Sequence, residues 1–482
     1  MASKGKFTVI DLHLNRPDRE RAWQALTHEF EHFFANSRPL FDEETRNLVL
    51  QKLVAWDFSQ QVDLGEIIKY VNQALKSQLN TSSTVYFGVF NPSASVAGIL
   101  AECLAALYNP QLASTMSAPF AIAVEQKLID FFGGQFNFLQ TRGHFTSGGT
   151  EANLTAMLCA LNRKITNIKV TGIGEHRPTV YVSTETHHSF LRAASVCGIG
   201  HRAVREIPVD ATLKMNVNKL KAQILSDQQQ GCIPTMIVAN LGSTSSGIFD
   251  DIQSLVEVAK EFGCWIHGDG AWGGPAILLD EYQSVFKGAE QLDSLTIDAH
   301  KWLSVPMGAG MFLTRHEQIL QSTFATEDNP YMPNSAELNK ESQPYAQSLQ
   351  WSRRFIGLKL FMTLANVGIS GYQNILRHQI DVGQYLRTKL QKDGWNICNE
   401  TPFPVVLFYD TGLQEKGILA QTFLESFTAL KKCWITSTDQ VFTKQKVLRA
   451  GIPNFATQNS DIDFLCIELS ALRQSFLDCP DF

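Results

Sequence analysis

From about residue 140 the chain alternates short β-branched or apolar runs with amphipathic stretches, an order that few folds accept. Thr179-Val-Tyr-Val-Ser183 precedes a helical run over 188–196, and Thr235-Met-Ile-Val-Ala239 precedes another over 251–262; Cys264-Trp-Ile-His267 and Ser294-Leu-Thr-Ile297 follow. Apolar strands separated by helices build a mostly parallel sheet covered on both faces, so the expected class is α/β. Residues 1–83 read instead as amphipathic helices, over 18–30 with Pro17 at the start and over 64–75. Such helices need a surface to cover, and the segment is expected to serve dimerisation.

At 482 residues the chain exceeds what one core normally supports. Residues 84–350 are expected to form the large domain and 351–482 a smaller α+β domain. Residues 325–346 are polar and rich in Asn and Pro, and read as a linker or lid. There are no internal repeats.

Composition narrows the function classes. The formal net charge is -6 with scattered Lys and Arg, so no basic stripe points to nucleic acid or an anionic membrane. The nine cysteines include no Cys-x-x-Cys pair and no His at zinc spacing, and read as thiols of a reducing compartment. No N-terminal apolar leader and no run near the ~18 apolar residues of a membrane span is present. A cytoplasmic enzyme without a metal is expected.

In an open parallel sheet, ligands sit beyond the carboxyl ends of the strands. The residues there are His187 and His188, Ser243 and Thr244, Asp269, and His300 with Lys301. Each has an ordinary reading as a turn former, cap or solvated side chain; four strands aiming such groups at one edge is a different matter. A lysine amine beside a carboxylate, both at strand ends, suits a cofactor held covalently through an imine and protonated on a ring nitrogen, namely pyridoxal phosphate. Its phosphate needs N–H groups at a helix start, and Thr146-Ser-Gly-Gly-Thr-Glu-Ala-Asn153 supplies one, with Gly148 and Gly149 permitting close approach and Thr150 offering a hydroxyl. Thr150 could equally be a plain helix cap.

Five segments taken in order carry a specific resemblance. They are Ser147-Gly-Gly-Thr-Glu-Ala-Asn153, His187-His-Ser-Phe-Leu-Arg-Ala193, Ala239-Asn-Leu-Gly-Ser-Thr-Ser-Ser-Gly247, His267-Gly-Asp-Gly-Ala-Trp-Gly-Gly274 and Asp298-Ala-His-Lys-Trp-Leu303. From about residue 84 onward the chain resembles the group II pyridoxal-phosphate-dependent amino-acid decarboxylases, which include glutamate, aromatic-amino-acid and diaminobutyrate decarboxylases; the first 80 residues resemble them only in being helical.

The resemblance implies the aspartate-aminotransferase architecture (fold type I) and a homodimer with shared active sites. It implies that Lys301 carries the cofactor, that His300 reaches its phosphate and that Asp269 pairs with the ring nitrogen. His187 would stack on the ring, with His188 the alternative if the register slips by one. Thr244 would lie near the phenolic oxygen and Ala271 against the ring face.

Tyr331 falls near the family's mobile-loop tyrosine, which returns a proton to Cα, and Tyr345 competes for that role. Arg449, in Leu448-Arg-Ala-Gly-Ile-Pro-Asn454, is the candidate for gripping the α-carboxylate. Arg353 and Arg354 match the family but read as structural. Where the family usually has His-Val-Asp-Ala-Ala, this chain has Gly268 and Gly270 around Asp269, which should soften the strand end and leave space beside the ring.

The implied reaction is decarboxylation of an L-amino acid to its amine. Oxidative deamination to an aldehyde, carbon-carbon lysis and a non-catalytic binding protein are the rivals. Phe90 and Asn91, in Tyr86-Phe-Gly-Val-Phe-Asn-Pro-Ser93, align with the side-chain pocket, but no charge there decides between acidic, basic and aromatic substrates.

Overall fold

The computed structural model describes residues 12–35, 39–89, 92–326, 343–439 and 445–479. Two compact units result, 1–83 and 84–482. In the first, helices Arg16–Ala35, Glu43–Val54 and Leu64–Lys76 pack against one another, the last two begun by Asp42 and Asp63, whose carboxylates accept from first-turn N–H groups.

The second unit is built on a seven-stranded sheet: β1 (Arg142–Thr146), β2 (Pro178–Ser183), β3 (Val204–Ile207), β4 (Ile233–Asn240), β5 (Trp265–Asp269), β6 (Ser294–Asp298) and β7 (Gly310–Thr314). Their order is β1-β7-β6-β5-β4-β2-β3, with β2 to β6 mutually parallel and β7 antiparallel to both its neighbours. The carboxyl ends of β1, β2, β4, β5 and β6 therefore share one edge.

Strand alternation divides the core into two layers. Tyr181, Ile237, Ala239, Met311 and Leu313 face one layer, with helix Pro119–Gln135. Val180, Val182, Met236, Val238 and Phe312 face the other, with helices Gly149–Lys164 and Ser189–Val196. Each such side chain is almost fully buried, which for the valines, isoleucine, leucine, methionines and phenylalanine stabilises the fold by roughly 1.5–3 kcal/mol apiece.

A second sheet, β8 (Asn396–Ile397), β9 (Val405–Tyr409), β10 (Thr436–Asp439) and β11 (Lys446–Gly451), is antiparallel in the order β10-β11-β9-β8. Helices Ala420–Ala429 and Asn459–Asp478 close its core. The long helix Gly357–Lys392 contributes to both cores and bends at Gly368, whose φ of 68° breaks the helical path. Among the described residues no helix is long and apolar enough to cross a membrane.

Candidate active site

Loops at the shared strand edge enclose a cavity of about 350 Å³. Lys301, Asp269, His187 and Thr244 line it, as do Gly149, Thr150, Ala271 and His300, so strand ends far apart in sequence meet as the parallel topology requires. Asp269 is the last residue of β5, opposite Asn240 on β4, and is 7% exposed. Its Oδ1 accepts from the Ala271 N–H at 3.1 Å and its Oδ2 from Asn153 Nδ2 at 3.0 Å.

Behind Asp269 runs a buried chain of hydrogen bonds. His267 Nδ1 lies 2.7 Å from Ser294 Oγ and its Nε2 3.1 Å from Asn153 Oδ1, which also accepts from Thr296 at 2.7 Å. Burial lowers the His267 pKa to about 4, so the ring is neutral. A neutral His267 donating from Nε2 to Oδ1 fixes the Asn153 amide with its Nδ2 toward Asp269.

Lys301 follows β6 by one turn, its N–H bonded to the Asp298 carbonyl at 3.1 Å. Its Nζ lies 3.0 Å from Asp298 Oδ2. That carboxylate is almost fully buried, and among the described residues Asp298 Oδ1 has no hydrogen-bond partner. His300 Nδ1 accepts from the Ala309 N–H at 3.1 Å, and burial lowers its pKa, with Asp298 opposing. His187 opens toward the cavity while its Nδ1 accepts from the Ser189 N–H at 3.2 Å. The enclosing walls lower its pKa; Asp269 opposes, while Lys301 and His188 reinforce the shift.

The helix Gly149–Lys164 begins at the cavity without a side-chain cap, leaving its first N–H groups to a ligand. A Cβ at Gly149 would meet Asp298 Oδ2 at 2.8 Å and the Ala271 Cβ at 3.2 Å, and one at Gly148 would meet His300 Cε1 at 3.3 Å. Close backbone approach there is possible only with glycine.

The conserved domain of pyridoxal-dependent decarboxylases matches residues 49–410. This chain belongs to that family. The decarboxylase is 27% identical to the aromatic-L-amino-acid decarboxylase of Bacillus atrophaeus over 81% of each chain. It is 31% identical to tyrosine/DOPA decarboxylase 2 of Papaver somniferum over 69% of this chain and 66% of that one. The crystal structure of Oryza sativa TDC with PLP and tryptamine superposes with a TM-score of 0.89 at 20% identity, covering 98% of this chain and 100% of that one. The fold is thus that of the type I pyridoxal-phosphate enzymes, and the activity is that of a pyridoxal-phosphate-dependent amino-acid decarboxylase. The family match starts at residue 49, so it reaches into the segment whose sequence resembled the family only in being helical.

The cavity of the decarboxylase fits that cofactor on its own chemistry. An amine, two buried carboxylates, an uncapped helix start and a histidine stand together, and Gly149 keeps clear the approach to the helix.

Gly268 and Gly270 do not leave the space expected beside the ring. A Cβ at Gly268 would meet Leu292 at 2.8 Å and Leu295 at 3.1 Å, and one at Gly270 the Thr296 carbonyl at 3.0 Å. Both glycines answer to the packing of the core under Asp269. Tyr345 lines neither this cavity nor its neighbour; its ring stacks on Trp351 at 4.7 Å. Tyr331, Phe90 and Asn91 lie outside the described residues. Arg353 is a buried partner of Glu125 at 2.6 Å and Arg354 pairs with Glu102.

Arg449 lines a neighbouring cavity that shares His187 and Thr244 with the first. Its Nε donates to the Thr244 and Ser245 carbonyls at 3.0 and 3.2 Å, and its Nη1 to the Gly88 carbonyl at 3.0 Å. Burial lowers its pKa to about 10, still a cation at neutral pH. Asn153 and the Asp298 carboxylate are the site groups that sequence reasoning did not single out, although both stand inside the quoted motifs. Asn153 is four positions into a helix, and only the fold brings it under Asp269.

Proposed function

We propose that Lys301 is the amine that holds the cofactor, in a cytoplasmic homodimer whose two sites are shared between protomers, and that Asp269, His187, Thr244 and Ala271 frame the ring. The single observation behind this is that one cavity gathers Lys301, the Asp298 and Asp269 carboxylates, the start of helix Gly149–Lys164 and His187. Bound pyridoxal phosphate supplies a sink for the electron pair that departing CO2 leaves on Cα.

The residues do the rest. Asp269, held by Ala271 and Asn153, keeps a fixed negative charge that favours a proton on the ring nitrogen. Gly149, Thr150 and His300 offer N–H, hydroxyl and imidazole groups to the phosphate, with the helix dipole worth roughly 0.3–2 kcal/mol toward an anion. Burial holds the His187 pKa below the usual imidazole value, which disfavours a second cation where it stacks. Asp298 holds the Lys301 amine in place. Arg449 presents a fixed positive charge to the α-carboxylate, Phe90 and Asn91 wall the side chain, and Tyr331 returns the proton to Cα.

Helix Val96–Tyr108 exposes Leu100, Leu104, Leu107 and Tyr108, a stripe that supports a second copy as its cover. The free cysteines suit a reducing compartment. The test of the site is spectroscopic. Purified protein should carry the visible band of lysine-bound pyridoxal phosphate, and Lys301→Ala should lose both the band and CO2 release. A Lys301→Ala protein of unchanged activity would overturn the assignment.

A further inference from the structure

The cavity that adjoins the Lys301 site has a volume of about 700 Å³ and is lined by Thr184–His188, Thr244, Ser245, Thr436–Asp439, Val89 and Arg449. Glu185, 8% exposed, is its buried carboxylate. Three hydroxyls converge on one of its oxygens: Oε2 accepts from Ser246 at 2.6 Å, from Ser243 at 3.3 Å and from Ser245. None of these bonds reaches Oε1, which among the described residues accepts from no other group. Oε1 is open to the cavity and has acceptor capacity left for a ligand.

The surroundings set what that ligand is. Ser243 and Thr244 also line the Lys301 cavity, so Glu185 stands one hydrogen bond behind its wall. Asp439, at the rim, pairs with Lys446 at 3.2 Å. Arg449, the cation in the cavity, already donates to three main-chain carbonyls. Arg449, the Glu185 carboxylate and the hydroxyls of Thr436, Ser437 and Thr438 line one cavity, so a substrate whose α-carboxylate meets Arg449 finds these acceptors beside it.

We infer that Glu185 is the specificity-determining residue of this decarboxylase, and that its pocket takes an L-amino acid whose side chain ends in a hydrogen-bond donor, an ammonium or a phenol hydroxyl, rather than in an acid. This deepens the decarboxylase reading and rests on it. Glu185 Oε1 accepts the terminal donor; an acidic side chain meets a like charge and leaves Oε1 unpaired.

The test uses holoenzyme and CO2 release from L-tyrosine and L-2,4-diaminobutyrate, from L-phenylalanine, which lacks the donor, and from L-glutamate and L-cysteine sulfinate. The wild type should favour a donor-ended substrate over the acid-ended ones. Glu185→Gln should lower the kcat/KM ratio of the preferred donor-ended substrate to L-phenylalanine by about 10-fold or more, mainly through KM. Glu185→Asp should lower it less. Calorimetry should find the donor-ended product amine bound more weakly to Glu185→Gln by a similar factor. An acid-ended amino acid as the best substrate overturns the inference and leaves the decarboxylase reading intact. So does an unchanged ratio in a Glu185→Gln protein that keeps its visible cofactor band. If Glu185→Gln does not fold, the wild-type preference together with Glu185→Asp decides. CO2 from none of these five overturns this inference, and CO2 from no amino acid in a full L-amino-acid screen overturns the decarboxylase reading as well.

Discussion

Lys301 Nζ and Asp298 Oδ2 stand 3.0 Å apart, an i,i+3 pair in which the lysine reaches the cavity and the carboxylate is sealed beneath it. The buried anion holds the amine at one point on the cavity wall, where a freely rotating lysine would sweep through solvent. Asp298→Asn should keep the fold but lower kcat by about 10- to 100-fold, through the lost orientation of the amine. Steady-state CO2 release, with circular dichroism as the control for folding, checks it; a kcat within twofold of wild type would mean that the pair does not position the amine.

Asn153 connects the neutral His267 to Asp269. Removing a donor to a buried carboxylate costs roughly 1.5–3 kcal/mol. Asn153→Ala should therefore weaken binding of pyridoxal phosphate to the apoprotein by about 10-fold or more. Fluorescence titration of the apoprotein measures this directly.

Gly149 has no room for a methyl group, since a Cβ would stand 2.8 Å from Asp298 Oδ2 and 3.2 Å from the Ala271 Cβ. Gly149→Ala should leave the far-ultraviolet spectrum native while cofactor retention on gel filtration falls sharply. Normal retention would place the phosphate elsewhere.

Two buried histidines make the protein acid-sensitive. Burial lowers the pKa of His144 to about 3, helped by Arg353, and that of His267 to about 4, from 6.5. Below pH 6.5 the unfolded chain takes up protons that the folded one refuses, so stability is lost as pH falls from 6.5 toward 4. At pH 5 each histidine accounts for about 2 kcal/mol of that loss. Urea unfolding at pH 7 and pH 5 should differ accordingly, and a His144→Phe protein should have a shallower acid limb.

Much of this was legible in the sequence because parallel strands are apolar throughout and end on polar residues. Thr179–Ser183 became β2, extended by one residue, and Thr235–Ala239 became β4, extended by three. β1 was not legible: Arg-Gly-His-Phe-Thr has neither alternation nor β-branched bias, and its pairing with β7 is a tertiary fact. Asp269 could be found from its strand end. Asn153 could not, because its contacts with Asp269, His267 and Thr296 cross more than a hundred residues. Gly268 and Gly270 were visible, but their cause, the leucines and main chain packed beside them, was not. Glu185 reads in sequence as one polar residue among several in Ser-Thr-Glu-Thr-His-His; only the serines that converge on it from after β4 distinguish it.

The reaction assigned to this site removes the α-carboxyl group of an amino acid and returns a proton to Cα. The most direct measurement is product stoichiometry on holoenzyme, with CO2, amine, aldehyde and peroxide quantified from the best substrate of an L-amino-acid screen. One CO2 and one amine should form per amino acid consumed, with no aldehyde, and none of these products should form with Lys301→Ala. Aldehyde with peroxide in place of amine would contradict that assignment.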